Sequence, residues 1–343
     1  AAYPDRIARR LDREAGYLLA SGVQAGIAAG EHRFAPDWIV AASLHLSGRR
    51  GKIHLAAELT PEEIEEILAQ RASGEQRLDI DDEGRLGARK VRRLGSIVVS
   101  ETPISPADLE SADEVLARAI RERERGIELL PWSKKARQLR ARLSFLRAAG
   151  AGGDSGAGAG PGTAPGADTS AAGGSAGPVW PEVSDEALLA RLEEWLLPFV
   201  PRPLRKDSLQ KLPLPEALLS LLPWRLRSRI DELAPEQYRL PSGSNTRLRY
   251  EITRCVLSAR IQQLFGLRET PRIAGGVPVE IELLSPAGRP MQITRDLRSF
   301  WTHTYPEVRK ALRGRYPKHH WPEDPLEAEP TDRARPRSSG PNG

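Results

Sequence analysis

The sequence predicts a multidomain α+β chain: a small β-rich domain with helices packed on it, a long disordered linker, then an α+β C-terminal domain. Three observations predict it. A length of 343 residues exceeds what one ordinary core needs. Residues 148–178 contain only Ala, Gly, Ser, Thr, Pro and Asp, with 11 glycines among 31 positions, so they cannot bury apolar surface and read as a tether. Before that run the apolar pattern begins with alternation, and after it with helical spacing. The boundaries that follow are 1–100 for the β-rich domain, 101–147 for a helical segment packed on it, 148–178 for the linker, 179–326 for the C-terminal domain and 327–343 for a disordered tail.

The first domain begins with strand-like runs at Tyr17–Ala20, Trp38–Leu46 and Lys52–Leu59. In the last of these, Ile53, Leu55 and Ala57 alternate with His54, Ala56 and Glu58, the period of a half-buried strand. Thr60-Pro61-Glu62-Glu63 then opens a helix as a capping box with proline in the first turn. Strands closing on themselves with one such helix suit a small barrel. A second β segment, Leu86–Val99, is crowded by Arg85, Arg89, Lys90, Arg92 and Arg93. Cationic strands of this kind either follow a nucleic-acid backbone or guard an edge against aggregation. Ser111-Ala-Asp-Glu114 is expected to cap a helix running to Gly126. Ser133 opens another, whose Leu139, Leu143 and Leu146 form one stripe, with its cations on a wet face.

Beyond the linker, Ser184-Asp185-Glu186 caps a helix with Leu188, Leu189, Leu192, Trp195 and Leu196 at core spacing. Shorter helical pieces flank Pro223, and a turn at Ser242–Asn245 leads into a strand-like Arg247–Ile252. Val256–Phe265 reads as a helix stopped by Gly266. Val277–Leu284 and Met291–Thr294 bracket a loop-bearing hairpin, and two helical pieces broken at Pro306 close the domain.

The functional signal is concentrated at this end. Between Arg289 and Lys318 lie eight Lys/Arg against two acids, Asp296 and Glu307. Phe300, Trp301, Tyr305 and Tyr316 are threaded through them, with Trp321 just beyond. Fixed cations neutralise phosphates and aromatic faces stack on bases, so the mixture suits a polynucleotide. The alternative is a small aromatic core with a solvated cationic rim. The candidate nucleic-acid-binding residues are Arg295, Arg298, Trp301, Arg309, Lys310, Arg313, Arg315, Tyr316 and Lys318, with Arg89, Lys90, Arg92 and Arg93 in the first domain. The formal excess of positive charge, +5, falls wholly within residues 179–343.

Other chemistries find little footing. Gly48-Arg-Arg-Gly51-Lys52 has the wrong spacing for a phosphate-cradling GxxxxGK[ST] loop and reads as a hairpin turn. Asp81-Asp82-Glu83-Gly84 is a polar turn rather than a Mg²⁺-binding box. Neither ATP, Mg²⁺ nor another cofactor is therefore expected on this chain. One cysteine, Cys255, excludes an intrachain disulfide, and six dispersed histidines form no zinc motif. No signal peptide is visible, and no apolar run approaches the ~18 residues a membrane span needs. These features fit a cytoplasmic protein.

Several long runs resemble the HrpB-type ATP-dependent helicases, a bacterial branch of the DEAH-box group. Tyr305–Lys318 (YPEVRKALRGRYPK) and Trp321–Pro325 (WPEDP) are similar to the closing segment of that family. So are RIDELAP (229–235), LPSGS (240–244), LFGLRETPRIAGG (264–276), AYPDRIARR (2–10), YLLASG (17–22), RRLGSIVVSE (92–101) and LLPWSKKARQLRARL (129–143). His320 stands where relatives usually have proline, and Val277 follows Gly276 directly where an arginine commonly intervenes. The long tether is also unusual. The resemblance implies an oligonucleotide-binding (OB) fold for the first domain, lying beside a nucleic-acid tunnel and open to activating partners. It implies motor domains N-terminal to this region, with ATP and Mg²⁺ belonging to the motor. A chain opening at Ala1, with Met291 as its sole methionine, is expected to be the portion after that motor. The implied role is to grip RNA or another single strand; the alternative is a module that docks a protein partner of the helicase.

Overall fold

A computed structural model describes residues 4–11, 16–27, 36–47, 50–151 and 179–332. The chain divides into two compact units, 1–131 with 200–212, and 132–199 with 213–343.

The first unit is built on a closed five-stranded barrel. Its strands are β1 (Ile7–Arg10), β2 (Tyr17–Leu19), β3 (Gln24–Ile27), β4 (Trp38–Ser47) and β5 (Arg50–Glu58). They run in the order β1-β2-β3-β5-β4, and β4 pairs back onto β1. The pairing of β3 with β5 is parallel, and the other pairs are antiparallel. Inward-facing Ala8, Tyr17, Leu19, Ala25, Ile39, Ala41 and Ile53 fill the interior. Helix α1 (Pro61–Arg71) starts at the expected capping box, with Thr60 Oγ accepting from Glu63 N and Thr60 N donating to the Glu63 carboxylate. It lays Ile64 and Leu68 against Ile7 and Leu94 in a second apolar cluster.

A three-stranded antiparallel sheet follows: β6 (Ser73–Ile80), β7 (Leu86–Leu94) and β8 (Ile97–Ile104). The β7–β8 turn abuts the barrel: Ser96 N donates to Ala20 O at 2.9 Å. Gly95, at φ +57°, sits so close that a Cβ would lie 2.2 Å from the same carbonyl oxygen. Only glycine tolerates both the left-handed backbone and that approach. Helix α2 (Ala112–Arg121) ends short of Gly126, and its expected cap fails: Ser111 adopts φ 47° and makes no side-chain bond to the helix. Segment 200–212 joins this unit through Leu86 N to Lys206 O (2.8 Å) and Gln210 Nε2 to Glu83 O (2.9 Å).

The second unit opens with α3 (Lys134–Ala148), capped by Ser133 as its sequence indicates. Most of its cations are wet, Lys134, Lys135, Arg137 and Arg147 being exposed, but Arg142 is an exception. Arg142 is 3% exposed and reaches Ala234 O (2.5 Å), Asp231 and Glu236 (3.4 Å). Arg140 binds Val183 O and Asp185, and Arg147 binds Trp180 O and Glu182. Burying a guanidinium is costly unless it is paired, so Asp231 of the RIDELAP run and Glu236 just after it are counter-ions for this helix. The tether expected at 148–178 lies mostly outside the described residues. At its edges, however, Ala151 and Trp180 are buried and joined by the indole N–H to Ala151 O.

Short helices follow: α4 (Asp185–Ala190), α5 (Leu192–Trp195), α6 (Leu214–Ser220), α7 (Trp224–Arg227) and α8 (Ile230–Leu233). A hairpin of β9 (Gln237–Arg239) and β10 (Asn245–Arg247) leads to β11 (Arg249–Tyr250) and β12 (Cys255–Arg260). A second hairpin, β13 (Arg272–Ile273) with β14 (Val277–Pro278), precedes β15 (Glu280–Leu284) and β16 (Pro290–Thr294). Strands β11-β12-β15-β16 form one sheet, in which β12 and β15 are parallel. The helix expected over Val256–Phe265 is thus a strand followed by a 3-10 turn at Ile261–Leu264. Cys255, Val256, Leu257 and Ala259 are buried on both faces, so the strand shows no alternation that separates it from a helix.

Candidate nucleic-acid interface

The closing segment is α9 (Leu297–Ser299), a π turn at Phe300–Thr304 and α10 (Tyr305–Arg315). Pro306 does not break it. Proline lies in the first turn of α10, where its missing N–H costs least, and the π turn before it absorbs the extra residue. The wide turn gathers aromatic rings into one cluster. Trp301 lies 5.0 Å from Phe300, 5.4 Å from Tyr305 and 6.2 Å from Phe265 between ring centroids. The Trp301 indole N–H donates to Leu267 O at 2.8 Å.

A strap then closes over this cluster. Trp321 is buried and donates to Tyr316 O (3.0 Å), Tyr305 OH donates to Pro322 O (3.0 Å), and Gly266 N donates to Pro325 O (3.0 Å). Burial pushes the Tyr305 phenol well above its ordinary range, so it stays a neutral donor. Residues 327–332, expected in a disordered tail, are docked: Arg268 pairs with Glu327 at 2.7 Å and Thr331 N donates to Gln262 O at 3.0 Å.

This arrangement sorts the candidates. Trp301 is 4% exposed, and its ring is core rather than a platform for a base. Arg309 is structural: its Nε donates to Trp321 O (3.0 Å) and its guanidinium pairs with Glu323 (3.1 Å). Arg295 pairs with the buried Glu280 at 3.1 Å, which Arg254 also contacts at 3.1 Å. What remains on the surface is Arg298, Lys310, Arg313, Arg315 and Lys318, all exposed and without an ion pair among the described residues. Helical spacing sets Lys310 and Arg313 on one flank, away from buried Tyr305 and Leu312. Arg315 turns the other way and covers the half-buried Tyr316 ring, 5.8 Å from its centroid.

The β7 cations fare differently. Arg89 is bound by Asp79 and by Glu101 (2.7 Å), and these two acids raise its already high pKa. Arg93 is half-buried, 3.9 Å from Glu75, with its Nε unpartnered. Lys90 is exposed and Arg92 half-buried, neither with an ion pair among the described residues.

The described residues of the two nucleotide-site candidates take other roles. Gly51 and Lys52 lie in β5, paired to β3 and β4, and not in a loop that opens a helix. Asp81 is engaged by Arg85, whose backbone and side-chain bonds hold its carboxyl below the usual range. Among the described residues, no group of three or more His, Cys, Asp or Glu could hold a metal ion. No helix among them is long and apolar enough to cross a membrane.

The comparisons agree with the runs noted in the sequence. The family described as ATP-dependent helicase C-terminal matches residues 195–325, which hold the second sheet, the aromatic cluster and the strap. The ATP-dependent RNA helicase HrpB of Escherichia coli (strain K12) is 36% identical over 340 residues, covering 97% of this chain. The chain belongs to the HrpB family of helicases. It spans about two-fifths of that relative's length, 39%. Two solved structures are similar along nearly the whole chain. The crystal structure of the E. coli DExH-box NTPase HrpB is 35% identical, with a TM-score of 0.56, over 97% of this chain and 38% of that one. A crystal structure of the E. coli DEAH/RHA helicase HrpB gives 32% and 0.50, over 93% and 37%. The motifs first recognised in the HrpB-like runs thus include residues with plain structural duties, such as Asp231, Gly95 and Trp321.

Proposed function

We propose that this chain is an accessory, nucleic-acid-gripping region of an HrpB-type ATP-dependent helicase, working in the bacterial cytoplasm on RNA or another single strand. Motor domains elsewhere in such a protein supply ATP hydrolysis. The observation that carries this reading is the set Lys310, Arg313, Arg315 and Lys318. These cations are exposed and lack carboxylate partners among the described residues; the first three sit on a helix held by an aromatic core, and Lys318 in the turn that follows it. A phosphate backbone is the polyanion such a set fits, and Tyr316 is the remaining ring with an open side. The barrel order β1-β2-β3-β5-β4, with β3 and β5 parallel, supports the OB-type reading of the first unit, where Lys90 and Arg92 would add contacts.

The test is fluorescence anisotropy of single-stranded RNA against the 343-residue chain over a salt series, with duplex DNA beside it. Affinity should fall steadily with salt, and fall further in a Lys310→Gln/Arg313→Gln/Arg315→Gln variant. Absence of binding at low salt would overturn the reading. Edge strand β16, with Met291 and Ile293 exposed, favours a second reading as a protein-docking module, for which binding to a partner would tolerate salt.

A further inference from the structure

The LPSGS run was not used by the cationic surface, yet it builds a site of its own. Ser242, Ser244 and Gln263 converge on one oxygen of Asp332. Ser242 Oγ donates at 3.0 Å, Ser244 Oγ at 3.3 Å and Gln263 Nε2 at 2.6 Å. These donors come from the β9–β10 turn and the 3-10 turn after β12, and neither depends on Asp332 for its shape. Leu240 N donates to Ser244 O and Gly243 N to Leu240 O, closing the first turn at Gly243, φ +84°. Gln263 Oε1 accepts from Arg260 N at 2.8 Å, which aims the amide N–H outward. Arg260 is exposed, makes no ion pair within 4.0 Å among the described residues, and is close enough to lower the pKa of Asp332. His319, next in sequence to Lys318, has its pKa lowered by burial and then by the charge of Arg260.

We propose that Ser242, Ser244, Gln263 and Arg260 form a phosphate-binding seat, and that Asp332 occupies it as an internal anion. Three neutral donors converging on a single oxyanion, with the positive charge of Arg260 near enough to favour it, are the kind of groups that hold a phosphate oxygen in other contexts. Asp332 is itself exposed, and it follows Thr331, whose N–H donates to Gln262 O. A strand phosphate arriving along Lys318 would compete with it, so the tail tunes affinity by how often it vacates the seat. That source of phosphate rests on the nucleic-acid reading above; the seat does not.

The experiment uses inorganic phosphate first. The melting temperature of the 343-residue chain is measured in phosphate and in chloride at matched ionic strength, for the parent, Asp332→Ala, Asp332→Asn and Asp332→Ala/Gln263→Ala/Arg260→Gln. Both single variants should gain a phosphate-dependent rise that the parent lacks and the triple variant loses. No phosphate response in either single variant would overturn the seat. RNA anisotropy then separates the sources. If the seat is closed nine-tenths of the time, Asp332→Ala should raise the contribution of that contact by about tenfold. A phosphate response without an RNA gain assigns the seat to free phosphate. A phosphate response where no variant binds RNA keeps the seat and removes the gripping function.

Discussion

Two basic segments look alike in the sequence and differ in the structure. The β7 run, Arg89 to Arg93, is a cationic strand inside a sheet whose neighbours supply acids: Asp79 from β6, Glu101 from β8 and Glu75 from the far end of β6. The direct cross-strand partners of Arg89 are Arg77 and Pro103, and the acids stand diagonally, at Asp79 and Glu101, where long side chains still reach them, so part of its positive charge is already spent within the sheet. The α10 run has only Glu307 on its own helix, and the strap that folds over it supplies Glu323 to Arg309 alone. Lys310, Arg313, Arg315 and Lys318 have no carboxylate partner among the described residues. Counting cations along the chain cannot distinguish these cases. Counting acids on the strands or straps that pair with them can.

The largest effect should come from the core that holds the second segment. Trp301→Ala removes a buried indole that touches three rings, and should cost about 3–5 kcal/mol. Thermal melting would show it, together with loss of RNA binding, because α10 loses its support. A melting temperature within a degree or two of the parent would mean the aromatics are not the core of this unit. Next is neutralisation of the rim. Lys310→Gln/Arg313→Gln/Arg315→Gln should leave melting nearly unchanged while lowering the salt slope of single-strand binding by about 2, from roughly 0.7 per phosphate contact. An unaltered slope would move the interface elsewhere.

Much of this contrast was legible before folding. Strand β5 was placed correctly, but of the alternating Ile53, Leu55 and Ala57 only Ile53 is buried and Leu55 is 63% exposed; α1 was clear because Thr60 and Glu63 carry the capping box. The membership of Trp301 in the core was open, since an aromatic among cations reads equally as platform or plug. β6 was hidden because Ser73–Ile80 is mostly polar, with only Leu78 and Ile80 buried. β12 was misread because a run buried on both faces has no period. Arg142 was placed in water because its counter-ions lie almost ninety residues away, in a run known only as a family motif. Asp332 was invisible for the same reason: its donors are brought to it by folding. Local pattern reports local structure, and long-range ion pairing leaves no local trace.

A smaller effect tests the first segment. Arg89→Ala removes a cation that already has two acids, so single-strand affinity and salt slope should stay near the parent values. Its melting should shift by no more than about 1 kcal/mol, as for other partly exposed pairs. A loss of slope as large as one rim cation contributes would mean that Arg89 trades its acids for phosphate, and the contrast between the two segments would fail.

The smallest effect lies at His319, beside the rim and the Asp332 seat. Burial, and then the charge of Arg260, lower its pKa below the ordinary histidine value of about 6.5. An unfolded chain therefore takes up a proton at His319 before the folded one does. The stability this residue contributes is complete above the unfolded pKa and is lost as the pH falls towards the folded one. Carboxylates such as Asp332, held below their usual range, titrate at lower pH and leave this window to the histidine. Melting of the parent and of His319→Gln should run parallel from pH 8 to about 7. Below that the parent should fall faster, by a margin that high salt narrows, because salt screens Arg260 from the incoming charge. Parallel curves down to pH 5.5 would place His319 out of reach of Arg260.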